Sequence, residues 1–135
     1  MIKKKIQRWD DKGKADSTVY WNFIWATKFN KEVLTGDLLI RLKVLFKDIA
    51  ESLSCNIEKM DIQSNVVRMF VKGNSVTSPH FFVQQCKGKT SGILKKEYPY
   101  LQKSTSIWTR YYFCESIGEI DELRAKKFLE RQIGK

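Results

Sequence analysis

The chain contains four short runs rich in branched and aromatic residues, each bounded by polar residues. Such runs are typical of β-strands, which favour branched and aromatic side chains. The second and third runs are separated only by Gln63 and Ser64, so they predict an antiparallel pair joined by a tight turn. The predicted strands cover residues 17–29, 55–62, 65–73 and 106–116.

Three helices are predicted between and after these strands. Leucine or isoleucine recurs every three or four residues over 35–54, which predicts a helix with one apolar face. A second helix begins after Ser78, a favoured capping residue, with Pro79 at its first position, and it extends to residue 97. A third helix covers 119–132 and is acidic at its start and basic toward its end, as the helix dipole favours.

The order β-α-β-β-α-β-α predicts an α+β fold of the ferredoxin-like (RRM-like) type. In this split βαβ arrangement a four-stranded antiparallel sheet carries helices on one face, here with an additional C-terminal helix. A length of 135 residues allows one domain with a substantial core. We expect residues 1–16, which are charged and lack a period, to form a basic N-terminal arm, and residues 17–135 to form a single domain.

The charge balance favours an anionic partner. The formal net charge is +10, from 25 basic and 15 acidic residues, which suits nucleic acid or an acidic membrane surface. Basic residues are crowded in the second helix, where they could neutralise phosphates without reading sequence. An ordinary solvated helix face is the alternative. These residues are Lys87, Lys89, Lys95 and Lys96.

Aromatic residues alternate along the first strand, at Trp21, Phe23 and Trp25, and therefore share one face. Two interpretations remain open. The rings could stack on nucleic-acid bases at an open sheet face, or they could belong to the core.

Several kinds of chemistry are excluded or disfavoured by composition. His80 is the only histidine, so no two-histidine metal site exists within one chain, and no glycine-rich phosphate loop follows a strand. The odd number of cysteines, without a C-x-x-C pair, argues against a disulfide framework and indicates a reducing, cytoplasmic location. No stretch approaches the roughly 18 apolar residues of a membrane span, so we expect no membrane partner.

Four segments, in this order and spacing, are similar to a known family: VYWNFIWATKFNKEVLTG, FFVQQCKGKTSGILKKEYPYL, IWTRYYFCESIG and KKFLERQ. Together they resemble the single-tyrosine HUH transposases of bacterial insertion sequences, the IS200-like TnpA type, over about residues 17–132. The resemblance implies the fold predicted above and a dimer that binds single-stranded DNA hairpins at transposon ends. It also implies DNA cleavage and rejoining by a tyrosine, with help from Mg²⁺ or Mn²⁺.

The functional positions of that family hold other residues here. The resemblance places its His-hydrophobic-His metal motif at Val66 and Arg68, its nucleophilic tyrosine at Phe128, and a glutamine metal ligand at Gln132. Valine and arginine have no lone pair to offer a metal ion, and phenylalanine has no oxygen with which to attack a phosphodiester. We therefore expect a protein that is not an enzyme and has no cofactor.

The expected function is that of a catalytically inactive transposase-like protein, which binds single-stranded or hairpin DNA as a homodimer and acts as a regulator or a domesticated remnant. In this hypothesis Arg68 supplies part of the charge of the missing metal ion and holds a phosphate, while Lys87, Lys89, Lys95 and Lys96 add further contacts. The alternatives are an active DNA-cleaving transposase that uses unrecognised residues, a protein that binds structured RNA, and a decaying gene product.

Overall fold

The computed structural model describes residues 19–103 and 106–117. The predicted N-terminal arm and the predicted last helix, with Phe128 and Gln132, lie outside these residues. Two short 3-10 turns, Lys28–Asn30 and Pro99–Leu101, accompany the regular elements. The strands and helices, in chain order, are β1 (Tyr20–Ala26), α1 (Gly36–Ser52), β2 (Asn56–Gln63), β3 (Val66–Lys72), α2 (Pro79–Glu97) and β4 (Phe113–Ile117).

The four strands form one antiparallel sheet in the order β2-β3-β1-β4. Helix α1 connects β1 to β2, and α2 connects β3 to β4, so that β2 and β4 are the edges of the described sheet. This topology confirms the predicted α+β, split βαβ fold.

One face of the sheet packs against both helices. Trp21, Phe23 and Trp25 of β1 are each 2% exposed or less. The ring of Phe23 stacks on Phe82 of α2 with a centroid distance of 5.5 Å, while Trp25 contacts Phe46 of α1 at 5.8 Å. The β1 aromatics therefore belong to the core, and the interpretation that they stack on bases at an open sheet face is wrong.

Helix α1 follows the predicted apolar periodicity. On its exposed side, α1 contacts α2 through Arg41. The guanidinium of Arg41 donates two hydrogen bonds of 2.9 Å to the carboxylate of Glu97. This pairing lowers the pKa of Glu97. Because both side chains are exposed, the pair stabilises the fold only weakly. The periodic residues buried by α1 are Leu38, Leu42, Leu45 and Ile49.

Helix α2 begins as predicted. The hydroxyl of Ser78 accepts a hydrogen bond of 3.0 Å from the backbone N–H of Phe81, and Pro79 occupies the first turn. The helix continues without interruption past Gly88 and Gly92. Neither α1 nor α2, nor any other helix in the described ranges, is long and apolar enough to cross a membrane.

The fourth strand is shorter than predicted, because β4 begins only at Phe113. The preceding residues are held outside the sheet ladder. Trp108 makes an isolated bridge with Thr27, and its ring is buried with Nε1 donating a hydrogen bond of 3.0 Å to Thr90 Oγ1. An aromatic run such as this one looks like a strand in the sequence, although here Trp108 is buried in the core while Tyr111 is exposed.

Replacing Thr90 with valine is expected to destabilise the protein by about 1–3 kcal/mol. The Thr90 hydroxyl donates a 2.6 Å hydrogen bond to the Cys86 carbonyl while accepting from Trp108, so its loss leaves a buried indole N–H unpaired. Urea unfolding measures the effect. Thr90→Ser, which keeps the hydroxyl, is the control, and equal losses in both variants would contradict the role of the hydrogen bond.

Candidate nucleic-acid interface

A groove of about 770 Å³ lies between the first half of α2, the turn Lys28–Asn30 and residues 106–112. It is termed here the α2 groove. Three cationic side chains line it, those of Lys28, Lys87 and Arg110, and none of its lining residues is acidic. Positive charges without negative neighbours attract phosphate groups. The α2 groove is therefore suited to an anionic ligand.

Two contacts hold the side chain of Lys87 in the α2 groove. Its Nζ atom donates a hydrogen bond of 3.2 Å to the carbonyl oxygen of Tyr111 and lies 5.8 Å from the ring centroid of Tyr112. Partial burial lowers the pKa of Lys87, because the charged form loses part of its hydration. A cation that is already partly desolvated gives up less water when it meets a phosphate.

Aromatic rings accompany the cations. Phe29 and Tyr111 are 80% and 72% exposed, which makes them the most exposed aromatic side chains in the described ranges. The guanidinium carbon of Arg110 lies 5.5 Å from the ring centroid of Tyr111. Exposed rings beside cations are the combination that proteins use to stack bases and hold the neighbouring phosphates.

A histidine–tyrosine pair lines part of the α2 groove. His80 Nδ1 lies 2.9 Å from the hydroxyl oxygen of Tyr112, and the two rings are stacked with centroids 5.9 Å apart. Burial raises the pKa of Tyr112, because the charged form of its hydroxyl would lose hydration.

A smaller cleft of about 110 Å³ adjoins the α2 groove. Lys28 lines both, and the cleft adds Lys31 and Lys103 without any acidic residue. The positive surface therefore continues beyond the groove, which suits a chain of phosphates better than a single one.

The four predicted α2 lysines do not form one patch. Lys87 lines the α2 groove, whereas Lys89 and Lys96 are exposed and, being seven residues apart, share a different side of the helix. Lys95 is half-buried. The four lysines are close together in the sequence, but in the structure their charges do not act on one surface.

Sequence reasoning missed most of the α2 groove. The sequence predicts these groove residues only as parts of strands, although they lie in irregular segments next to β1 and β4. They are Lys28, Phe29, Arg110 and Tyr111. The available signal was the pairing of a cation with an aromatic residue, which occurs in both Lys28-Phe29 and Arg110-Tyr111.

Arg68 lies on the other side of the sheet. Val67 and Met69 of β3 point into the core with no exposed surface, so Val66 and Arg68 point to the face opposite the helices. In the sheet register Arg68 stands directly across from Asp61 of β2, and it is half-buried. The structure therefore does not bring Arg68 together with Lys87 and the α2 groove.

The metal ion that the resemblance implies does not fit this face. Val66 offers no donor atom, and the guanidinium of Arg68 is a permanent cation. Among residues 19–103 and 106–117, no group of three or more His, Cys, Asp or Glu side chains is placed to hold a metal ion. The side chains described here cannot supply the oxygen-rich shell that Mg²⁺ and Mn²⁺ prefer.

The thermal unfolding midpoint is therefore expected to be the same with and without millimolar Mn²⁺, because only a metal that binds the folded state raises it. NaCl at matched ionic strength is the control for general salt effects. A reproducible rise of several degrees that is specific to Mn²⁺ would reveal a metal site.

Comparison with known proteins identifies the class. Residues 15–132 match the model of a family described as "Transposase IS200 like". This match covers most of the chain, which therefore belongs to the IS200-like transposase family. The family resemblance expected from the sequence is confirmed.

Individual relatives agree with this assignment. The ISDra2 transposase TnpA of Deinococcus radiodurans is 23% identical over 115 residues, which span 83% of this chain and 82% of that protein. A crystal structure of a protein assigned as a transposase from the same organism has a TM-score of 0.69 at 20% identity, covering 85% of this chain and 91% of the other. A REP-associated tyrosine transposase bound to a REP hairpin gives a TM-score of 0.57 at 8% identity, covering 83% and 62%. Both structures share the fold described above.

Family membership overturns the expectation that the chain is not an enzyme. IS200-like transposases are a family of DNA-cleaving enzymes, and the named relatives are transposases. The expectation relied on Val66, Arg68 and Phe128 at positions that the resemblance assigned to the family's motif. As evidence of the protein's class, a family match over most of the chain outweighs the residue types at these three positions.

Proposed function

We propose that the protein binds single-stranded or hairpin DNA in DNA transposition, and that it does so as a homodimer. The observation that carries the proposal is the α2 groove, where three cations and no acidic residue lie beside exposed aromatic rings. Membership of a transposase family supports DNA as the ligand. A protein of the same fold bound to a REP hairpin is consistent with it.

The aromatic rings favour unpaired DNA over a duplex. Stacking on a ring requires an exposed base face, which a paired duplex buries between neighbouring base pairs. The cations would contact phosphates in either form, because phosphate contacts carry no information on sequence or pairing. We therefore expect the preference for single strands to come from Phe29 and Tyr111, and the general affinity to come from the charges.

Fluorescence anisotropy with four labelled probes tests the proposal. The probes are a DNA hairpin with a single-stranded flank, a single strand, a blunt duplex of the same composition, and an RNA hairpin of the same sequence. We expect the first two to bind at least tenfold more tightly than the duplex at physiological salt. Equal affinity for all four would mean that the net charge alone drives binding, and a clear preference for the RNA hairpin would replace DNA by RNA.

The same samples, run on a denaturing gel after incubation with Mg²⁺ or Mn²⁺, report whether the bound strand is cut. This measurement separates recognition alone from recognition followed by cleavage.

The proposed dimer rests on the exposed edges of the sheet. Strands β2 and β4 have no further partner in the described sheet, and open edges pair readily with another copy. The β4 edge is the better candidate, because Phe113 on it is 54% exposed and Glu115 is its one charged residue, whereas β2 carries three charged residues, Glu58, Lys59 and Asp61. Sedimentation at micromolar concentration should give a dimer, and a monomer would refute this part of the proposal.

Arg68→Ala is expected to weaken hairpin binding by about 1–3 kcal/mol, the usual contribution of a charge-assisted contact with phosphate. The competing role for Arg68 is an interaction with Asp61, which stands directly across from it on β2. Anisotropy and urea unfolding of the same variant separate the two roles. Unchanged binding together with reduced stability would assign Arg68 to the β2–β3 pair rather than to DNA.

A further inference from the structure

We propose that the α2 groove holds one unstacked nucleotide of the bound DNA strand, with its base against Phe29 and Tyr111 and its phosphate near Lys87 and Arg110. This inference rests on the proposed function, and it assigns a defined task to one site on the protein.

The backbone of Phe29 is the first observation. This residue has φ 59° and ψ 23°, the left-handed region that bulky side chains rarely occupy. The conformation is enforced from both sides, because Lys28 N–H donates to the Ile107 carbonyl at 2.9 Å and Thr27 Oγ1 donates to the Lys31 carbonyl at 2.8 Å. An unfavourable conformation that the surroundings enforce is a common mark of a ligand-binding position. Here it displays an apolar ring to solvent at the wall of the groove.

The segment that leads into β4 supplies the second wall. Its carbonyl at Tyr111 accepts the hydrogen bond from Lys87, which fixes the position of this segment relative to α2. Arg110 lies against the Tyr111 ring, so one aromatic face and one cation are presented together. A base that stacks near this ring would carry its phosphate toward the cations.

Size and charge select the ligand class. A volume of about 770 Å³ lies within the range of small-molecule sites and can admit one nucleotide, whereas a base pair would bring a second backbone with it. Three cations without an acidic residue favour an anionic occupant over a neutral one, and the exposed rings of Phe29 and Tyr111 favour an anion that carries a base over an acidic side chain. Proteins that take a base out of the stack hold it in this way, against aromatic or apolar side chains.

The test uses a short oligothymidylate with a single central 2-aminopurine, whose fluorescence falls when the base stacks on an aromatic ring. We expect binding to the wild-type protein to quench the signal. Tyr111→Ala and Phe29→Gly should each weaken binding at least fivefold and remove most of the quenching. Phe81→Ala is the matched control, since this ring is 44% exposed on α2 but does not line the groove.

Phe29→Gly also distinguishes a binding role from a structural one. Glycine adopts positive φ without steric cost, so the variant should keep or raise the thermal midpoint while its affinity falls. A lower midpoint with unchanged affinity would overturn the proposal. An abasic site at the central position should cost affinity with the wild type and almost none with Tyr111→Ala, because both changes remove the same stacking interaction.

These measurements distinguish a failure of the proposed function from a failure of the nucleotide assignment. No binding of any DNA strand by the wild type would refute the proposed function itself. Binding and quenching by the wild type, with Phe29→Gly and Tyr111→Ala indistinguishable from Phe81→Ala, would refute only the assignment of the nucleotide to the α2 groove. Tighter binding of the corresponding oligouridylate would overturn DNA as the source of the nucleotide.

Discussion

Replacing Gly73 with alanine is expected to destabilise the protein by about 1–3 kcal/mol, the usual cost of overfilling a packed core. A Cβ atom at this position would lie 2.5 Å from two ring carbons of Trp21, Cη2 and Cζ2. The ring cannot retreat easily, because Trp21 is 1% exposed and packs against Phe23 and Phe82 with centroid distances of 5.9 and 5.7 Å. A destabilisation of this size is a large part of the roughly 5–15 kcal/mol that stabilises a typical domain.

Gly92→Ala is the matched control, with an expected effect of opposite sign. A Cβ atom there meets nothing within 4 Å, and alanine in a helix interior is favoured over glycine by about 0.5–1 kcal/mol. Urea unfolding of both variants measures the two changes under the same conditions. If Gly73→Ala were as stable as Gly92→Ala, the close packing of Trp21 under the start of the β3–α2 loop would be wrong.

The largest expected effect on binding comes from removing Lys87 and Arg110 together. Each single alanine variant should weaken hairpin binding about tenfold, and the double variant about a hundredfold, because each substitution removes a charge-assisted hydrogen bond to phosphate. The slope of log affinity against log salt should flatten by about 0.7 for each phosphate of a single strand that is no longer neutralised. Anisotropy titrations at several salt concentrations give both quantities.

Lys43→Ala provides the control for net charge, since Lys43 is exposed on α1 and does not line the α2 groove. We expect its affinity to stay within about twofold of the wild type and its salt slope to stay unchanged, because Lys43 makes no phosphate contact in the proposed complex and acts only through the general field. An equal reduction in affinity in Lys43→Ala and Lys87→Ala would show that the overall charge of +10 binds the DNA without a defined groove.

The fold could be predicted from the sequence because its elements have a clear period. The spacing of Leu38, Leu42, Leu45 and Ile49 matches one helical face, and all four are buried. Alternation along β3, with Val67 and Met69 buried, puts Arg68 on the opposite face, away from α1 and α2. Ser78 and Pro79 marked the start of α2 within one residue.

The α2 groove could not be predicted in the same way. It is assembled from three segments that are far apart in sequence, and the interactions that join them, such as the Thr27–Trp108 bridge and the Lys87–Tyr111 hydrogen bond, leave no periodic signal. The aromatic run before β4 resembled a continuous strand, which concealed the loop that carries Arg110 and Tyr111. Tertiary contacts, rather than local preference, decided where that strand begins.

The predicted lysine cluster shows the same dependence on tertiary structure. Lys87 and Lys89 are neighbours in the sequence, but residues two apart point to different sides of a helix. Only Lys87 reaches the α2 groove, where its partners come from elsewhere in the chain. Charge counted along a sequence therefore favours an anionic partner without showing which of the basic side chains share one surface.

Photo-crosslinking shows directly whether a bound DNA strand lies in the α2 groove. A DNA hairpin with 5-iodouracil in its single-stranded flank is irradiated with the wild-type protein, and mass spectrometry then identifies the crosslinked peptides. We expect crosslinks at aromatic residues of the α2 groove, chiefly Phe29 and Tyr111. Crosslinks confined to β2 and β3 around Arg68, with none in the groove, would contradict binding of the DNA strand there.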